Sequence, residues 1–284
     1  MFFLITLFIG MIFSFIYIYN TQYLSDGIIW WSIPIIVIVM SLLVFITVAL
    51  ILYIVTLFIK PDKRLTRPRS FNQFMTKIMA ELLVGFFGIK IIYQGFEKIP
   101  QNEKFLLIGN HQSNYDPITY VWAFRKYSIA FIMKNNIMRV PLLGRWLYGA
   151  GFLPIDRHND RKAVATISCA TKRIENGIQN ISVYPEGTRS KGPHMNEFRN
   201  GVFRIALKSK SPIVVSVLDN VYRVKYRFPF RKTKVVLDIV KVLEYEDYKH
   251  LSTNELGDMI HDLMTNRLKE LRETIPYLKL KQPS

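Results

Sequence analysis

The sequence predicts an α/β domain carried behind two hydrophobic helices, and three observations predict it. Residues 1–59 hold no Lys or Arg and a single acid, Asp26, so all 38 basic residues lie beyond them. From residue 105 onward, short runs of β-branched and aromatic residues alternate with longer runs of helical period. Polar clusters follow strand-like runs at His111, at Arg157 and at Glu186. Such positions, outside the carboxyl ends of strands, are where open α/β sheets bind ligands.

Residues 1–19 are nearly all apolar. They lack the basic n-region and small-residue cleavage site of a signal peptide, so a retained helix is expected. Residues 20–27 read as a turn. Residues 28–59 carry no charge and exceed the roughly 20 residues that cross a bilayer. Trp30 and Trp31 suit an interface, and Pro34 suits the start of the second helix. Lys60, Lys63, Arg64, Arg67, Arg69 and Lys77 follow at once, whereas the 20–27 turn has no basic residue. The positive-inside rule then puts residue 60 onward on the cytoplasmic face of the cell membrane. Two readings stand for the helices: two spans, or a hairpin dipping into one leaflet.

The expected organisation is a membrane anchor over 1–59, a basic amphipathic linker helix over 60–84, a catalytic domain over 85–250, and a helix with tail over 251–284. Helical periodicity is read over 70–93. Strands are expected at 105–109, 129–133, 152–156, 180–184, 212–218 and 234–243. Helices are expected at 117–126, 160–176, 199–209 and 254–273. The last carries Leu256, Ile260, Leu263, Met264, Leu268 and Leu271 on one stripe that packs on the domain.

Residues 110–117, NHQSNYDP, link the first of these strands to a helix. Asp116 fits an N-cap and Pro117 the first helical position, where its missing N–H costs nothing. On a continuous helix, residues five apart point about 140° away from each other. His111 and Asp116 therefore meet only if the backbone turns between them, and a loop ending at a helix supplies that turn. Two readings follow. In one, Asp116 fixes the tautomer of His111 and the other ring nitrogen takes a proton. In the other, a structural loop histidine lies beside a helix cap.

Composition narrows the chemistry. The single cysteine, Cys169, excludes an intrachain disulfide and a cysteine-based zinc site, and suits a small buried residue. His158, His194, His250 and His261 show no ligand spacing, so no metal is expected. There is no G-x-S-x-G elbow, H-E-x-x-H pair or Walker loop. Gly149-Ala150-Gly151 is a fragment of a dinucleotide fingerprint, but it precedes a strand. The net charge of +17 points to anionic partners: phosphate substrates, anionic membrane lipids or nucleic acid. Nucleic acid is set aside, because no zinc-finger, zipper or ribonucleoprotein signature is present.

Two further loops suit an anion. Residues 151–157, GFLPIDR, form a strand ending in Arg157, and residues 184–190, YPEGTRS, form a strand that breaks at a glycine and an arginine. Arginine offers a planar fork for phosphate oxygens, and glycine lets backbone N–H groups approach closely. Each arginine alone also reads as a solvated charge; three clusters at equivalent strand ends argue for a shared site.

These motifs resemble the 1-acylglycerol-3-phosphate O-acyltransferase family, the PlsC-like membrane acyltransferases. Its N-H-x-S-x-x-D motif is matched by Asn110, His111, Ser113 and Asp116. Its F-I-D-R element is approximated by residues 152–157. Its F-P-E-G-T-R-S motif is matched by residues 184–190, with Tyr184 in place of Phe. Lys134 with Pro141 and Gly144, and residues 198–201, FRNG, match further elements. Pro212 matches one proline of the last motif, while Val215 stands where the second is usual. The resemblance spans roughly residues 85–243.

The resemblance implies a mixed sheet flanked by helices. It also implies transfer of a fatty acyl chain to the sn-2 hydroxyl of 1-acylglycerol-3-phosphate, giving phosphatidic acid in phospholipid biosynthesis. Acyl-CoA or acyl carrier protein supplies the thioester, with no other cofactor and no covalent intermediate. His111 is the expected base and Asp116 its orienting carboxylate. Lys134, Arg157 and Arg189 are expected to hold the acceptor phosphate. Backbone donors near Gly187 are expected at the oxyanion, and Gly187 and Thr188 are expected among the substrate-binding residues. Glu186 is expected to shape the acceptor site or to pair with Arg189. Glycerol-3-phosphate or another lysophospholipid as acceptor, and a non-catalytic membrane-tethered binding protein, are the alternatives.

Overall fold

The computed structural model describes residues 2–20, 32–57, 67–140, 143–156 and 159–279. The chain divides into two compact units, Met1–Lys60 and Pro61–Ser284.

The first unit is a pair of helices, α1 (Phe2–Asn20) and α2 (Ser32–Leu57), packed on each other. Gly10 lets them approach: a Cβ there would lie 2.6 Å from the Ser41 Cα. The Ser14 hydroxyl donates back to the Gly10 carbonyl at 2.7 Å, so this polar group is satisfied within its own helix. Among the described residues no helix is long and apolar enough to cross a membrane, although α2 runs for 26 residues without a charge. Trp30, Trp31, Lys60, Lys63 and Arg64 lie outside the described residues.

The second unit begins with α3 (Ser70–Phe86) and β1 (Ile89–Gln94). It continues through β2 (Leu106–Ile108), α4 (Asp116–Ala123), β3 (Ile129–Lys134), α5 (Asn135–Met138), α6 (Leu143–Gly149) and β4 (Leu153–Ile155). Then come α7 (Asp160–Glu175), β5 (Asn180–Val183), α8 (Arg204–Ser209), β6 (Ile213–Asp219), α9 (Val224–Arg227), β7 (Thr233–Leu243), α10 (Tyr245–Tyr248) and α11 (Thr253–Thr274). Seven strands form one mixed sheet in the order β1-β7-β6-β2-β5-β3-β4. All neighbours are parallel except β6 and β7. Strands β2 to β6 therefore run one way, and their carboxyl ends lie along one edge.

Helices cover both faces, which is why the central strands β2, β5 and β6 are buried at every position rather than alternately. Leu106 and Ile108 face a core shared with α7, α8 and α11; Phe105 and Leu107 face a core shared with α3 and α4. The α11 stripe buries Leu256, Ile260, Met264, Leu268 and Leu271. Ser252 and Glu255 start that helix with a reciprocal capping box.

The helix expected over 70–93 is two elements. It stops at Phe86, the chain reverses at Gly88 with φ +61°, and residues 89–94 become an edge strand pairing in parallel with β7. The run Ile89, Ile91, Ile92 satisfies an apolar helical stripe as well as a strand, and the open edge of β7 decides between them. The segment expected as one helix over 199–209 opens as a 3₁₀ turn, Asn200–Phe203, before α8. Cys169 is half-buried against the α7-side core.

Candidate active site

The carboxyl ends of β2, β3 and β5 enclose a cleft of about 540 Å³. His111, Asn114, Lys134, Thr188, Arg189 and Lys191 supply its polar lining. Phe131, Ile132, Met133, Ile137 and Tyr184 supply an apolar side.

His111 follows β2 across two close contacts. Gly109 has no room for a side chain, since a Cβ there would lie 2.5 Å from the Tyr120 hydroxyl. Asn110 extends the pairing with β6 through its side chain, donating to the Leu218 carbonyl at 3.0 Å and accepting the Leu218 N–H at 2.8 Å. The backbone at His111 is clamped as well. Its N–H donates to Glu186 Oε1 at 2.6 Å, and its carbonyl accepts the Ser190 N–H at 2.8 Å. The first and third motif loops are thus tied on both sides of this residue.

The His111 ring is fixed on two axes. Nδ1 lies 2.7 Å from Asp116 Oδ2. The ring stacks on Tyr184, with centroids 4.4 Å apart and planes within 8°. Asp116 is fully buried and accepts from the Ser113 N–H at 2.8 Å and the Ser113 hydroxyl at 3.0 Å, besides the imidazole. Among the described residues this carboxylate is therefore satisfied without a lysine or arginine. The N-cap expected at Asp116 falls one residue earlier, at Tyr115, which makes no side-chain cap. Asp116 is the first helical residue, and its carboxylate turns back to the loop to serve Ser113 and His111. With Nδ1–H donating to Asp116, Nε2 keeps a lone pair; it makes no hydrogen bond to a described residue.

After β5, Pro185 ends the ladder and Gly187 takes φ +71°. The Gly187 N–H closes this turn on the Tyr184 carbonyl at 3.0 Å, so it is not a free donor. The next two N–H groups, on Thr188 and Arg189, make no hydrogen bond to a described residue. Glu186 is 3% exposed. It accepts from His111 N–H and, at 2.8 Å, from Asn196 N–H; no ion pair to Arg189 forms among the described residues. Burial pushes its carboxyl up to about 7, against the opposing pull of those two backbone donors. It holds two loops together from beneath the cleft rather than lining it. Arg189 instead hydrogen-bonds Asn114 across the mouth.

The cleft brings together His111, Lys134, Gly187, Thr188 and Arg189, with Asp116 and Glu186 behind them. Arg157 lies outside the described residues, as do Pro141 and His158. Four contributions were not read from sequence: the Tyr184 ring beneath His111, Lys191 at the rim, Asn196 on Glu186, and a buried brace from α11. In that brace Arg272 pairs with Asp219 at 2.6 Å, and Asp219 accepts from Gln112 at 2.9 Å. Gln112 and Asp219 are separated by 107 positions, so no local pattern announces the contact. Among the described residues no cluster of three or more His, Cys, Asp or Glu is placed to hold a metal.

Comparisons with known proteins show what the chain is similar to. The Acyltransferase family model matches residues 90–218, the segment from β1 through most of β6. The 1-acyl-sn-glycerol-3-phosphate acyltransferase of Haemophilus influenzae is 29% identical over 197 residues, 68% of this chain and 80% of that one. The enzyme of the same description from Borreliella burgdorferi is 26% identical, over 65% of this chain and 74% of its own. The crystal structure of the 1-acyl-sn-glycerophosphate (LPA) acyltransferase PlsC from Thermotoga maritima superposes with a TM-score of 0.58. It covers 70% of this chain and 79% of that one at 22% identity, a likeness of fold. A His–Asp pair at the strand ends of a mixed sheet, in a chain with these relatives, leads to one conclusion: residues 90–218 form an acyltransferase domain, in an enzyme similar to the 1-acyl-sn-glycerol-3-phosphate acyltransferases.

Proposed function

We propose that the enzyme moves a fatty acyl chain from acyl-CoA or acyl carrier protein to the sn-2 hydroxyl of 1-acylglycerol-3-phosphate, giving phosphatidic acid. The observation that carries this reading is one cleft that holds a carboxylate-fixed imidazole, three cations (Lys134, Arg189 and Lys191) and an apolar side. The cations suit a phosphomonoester; the apolar side suits acyl chains. Arg157 belongs to the proposed phosphate set by its motif position.

A hydroxyl is a poor nucleophile at neutral pH. Nε2 of His111 takes its proton as the oxygen attacks the thioester carbonyl. The tetrahedral intermediate collapses, the C–S bond breaks, and the imidazolium returns the proton to the departing thiolate. Atoms and charge balance with no further reactant. Asp116 holds the proton-bearing Nδ1 and lowers the cost of the imidazolium. A positioned base contributes about 10²–10⁴-fold, or roughly 3–5 kcal/mol of barrier. The unoccupied N–H groups of Thr188 and Arg189 are the proposed oxyanion donors.

The first unit is proposed as a membrane hairpin, with the catalytic unit on the cytoplasmic face. Support comes from the uncharged sequence of α1 and α2, the exposed Phe13, Phe15, Ile38 and Leu42, and the basic residues that begin at Lys60.

The test is acyl transfer to 1-acylglycerol-3-phosphate with each donor, for wild type and His111→Ala. Activity with either donor and a loss of at least about 10²-fold in kcat in the variant is expected. Preference for glycerol-3-phosphate would reassign the acceptor, and an unimpaired variant would sink the mechanism.

A further inference from the structure

The catalytic unit carries an exposed aromatic and basic surface that its chemistry does not use. Residues 225–232 read KYRFPFRK. Phe230 at the tip is 92% exposed and Tyr226 is 72% exposed. Lys225, Arg231 and Lys232 are exposed beside them, with Lys225 over the Tyr226 ring at 4.4 Å. Phe228 ties this loop to the end of α3, lying 5.1 Å from the rings of both Phe86 and Phe87. Along α3, Phe71, Phe74 and Phe86 face outward at 52%, 59% and 67% exposure, while Asn72, Ala80 and Val84 face the core. The helix thus shows apolar groups on both sides, the reverse of what a helix on a water-facing surface needs.

We infer that this surface, the 225–232 loop with the outer face of α3, is a membrane contact of the catalytic unit itself, seated in the headgroup layer of an anionic bilayer. The composition selects that occupant. Aromatic side chains at a tip enter the headgroup and acyl boundary, and the flanking cations pair with anionic headgroups. A protein partner with an apolar patch offers the three cations no counter-charge, and nucleic acid offers Phe230 no apolar layer. The surface is continuous with the catalytic loops through the Phe87–Tyr115 contact at 4.8 Å, directly before Asp116. The inference extends the membrane reading above from the hairpin to the catalytic unit.

The test uses the full chain, reconstituted into vesicles of phosphatidylcholine alone or of an equimolar mixture with phosphatidylglycerol. A polarity-sensitive fluorophore is placed on Phe230→Cys or, separately, on Phe45→Cys of α2, in a Cys169→Ser background; labelled Cys169→Ser protein reports non-specific signal. Spin-labelled lipid is the quencher. The expected result is quenching at both positions, stronger at 230 in the anionic vesicles. Replacing Arg231 and Lys232 by alanine lowers the ratio of inserted to solvent-exposed label at 230 by about fivefold for each charge removed. Quenching at 45 without quenching at 230 overturns the inference and leaves the hairpin intact; absence at both removes the hairpin as well. A label at 230 that is shielded from water yet not quenched by lipid means that protein covers the surface, from residues 1–57 or a second copy, and also overturns it.

Discussion

At the residue scale, the site depends on carboxylates that are buried for different reasons. Asp116 has three donors and serves the imidazole. Asp116→Asn keeps the volume but offers Nδ1 an amide in place of an anion. A fall of about 10²–10⁴-fold in kcat with little change in KM is expected from steady-state assays. Glu186 works through the backbone. Its folded value of about 7 stands above the ordinary 4.5, so between those values the native state holds a proton that the unfolded chain has released. Its contribution to stability is then fully present in acid and is lost as pH rises through 7, by up to about 3 kcal/mol. In Glu186→Gln, an amide N–H₂ must face one of two backbone donors, and this pH-dependent part vanishes. Urea unfolding of both proteins from pH 5 to 8 checks this: the stability advantage of wild type should shrink as pH rises. Tyr184 tests the opposite case. Its hydroxyl is buried with no hydrogen-bond partner among the described residues, while its ring supports His111. Tyr184→Phe removes the orphan group and keeps the stack, so kcat should hold and stability should stay or rise by about 1 kcal/mol; a large loss of kcat would assign the hydroxyl a role.

At the element scale, α11 is a brace for the proposed catalytic loop as well as a core helix. Arg272, near its end, grips Asp219 with two hydrogen bonds and the Pro193 carbonyl with another at 2.6 Å. Asp219 in turn holds Gln112, the neighbour of His111. Removing one member of a buried pair leaves the other charge stranded, at a cost of about 3–5 kcal/mol. Arg272→Ala should therefore lower the unfolding midpoint and also reduce kcat, with partial recovery in Arg272→Lys. The apolar stripe of α11 is legible in the sequence, because burial on one face writes a three- and four-residue period. The brace is not, because a charged residue on a helix flank looks the same whether solvated or buried. The same ambiguity hid β1: Ile89, Ile91 and Ile92 suit either period, and the deciding term is the pairing offered by β7 from 144 positions away, Ile89 against Thr233.

At the scale of the whole molecule, the compact second unit holds both cores and the cleft, and the two helices of the first form their own unit. A chain beginning at residue 61 should fold with an unfolding midpoint close to that of the full chain in detergent. It should lose turnover on acceptor presented in vesicles far more than on acceptor in mixed micelles. Equal loss on both would mean that the hairpin is needed for the fold of the catalytic unit.

Composition and spacing by themselves determined the two apolar segments, the α/β alternation, and the two loops that meet at His111. Each is a local property, written by side-chain period, by turn residues, or by motif order along the chain. Tertiary structure alone decided the parallel edge on which those loops converge, the inward turn of Glu186, the ring beneath His111 and the reach of Arg272. Those depend on which strand lies beside which, and a pairing across a hundred residues leaves no mark on either partner's immediate neighbours.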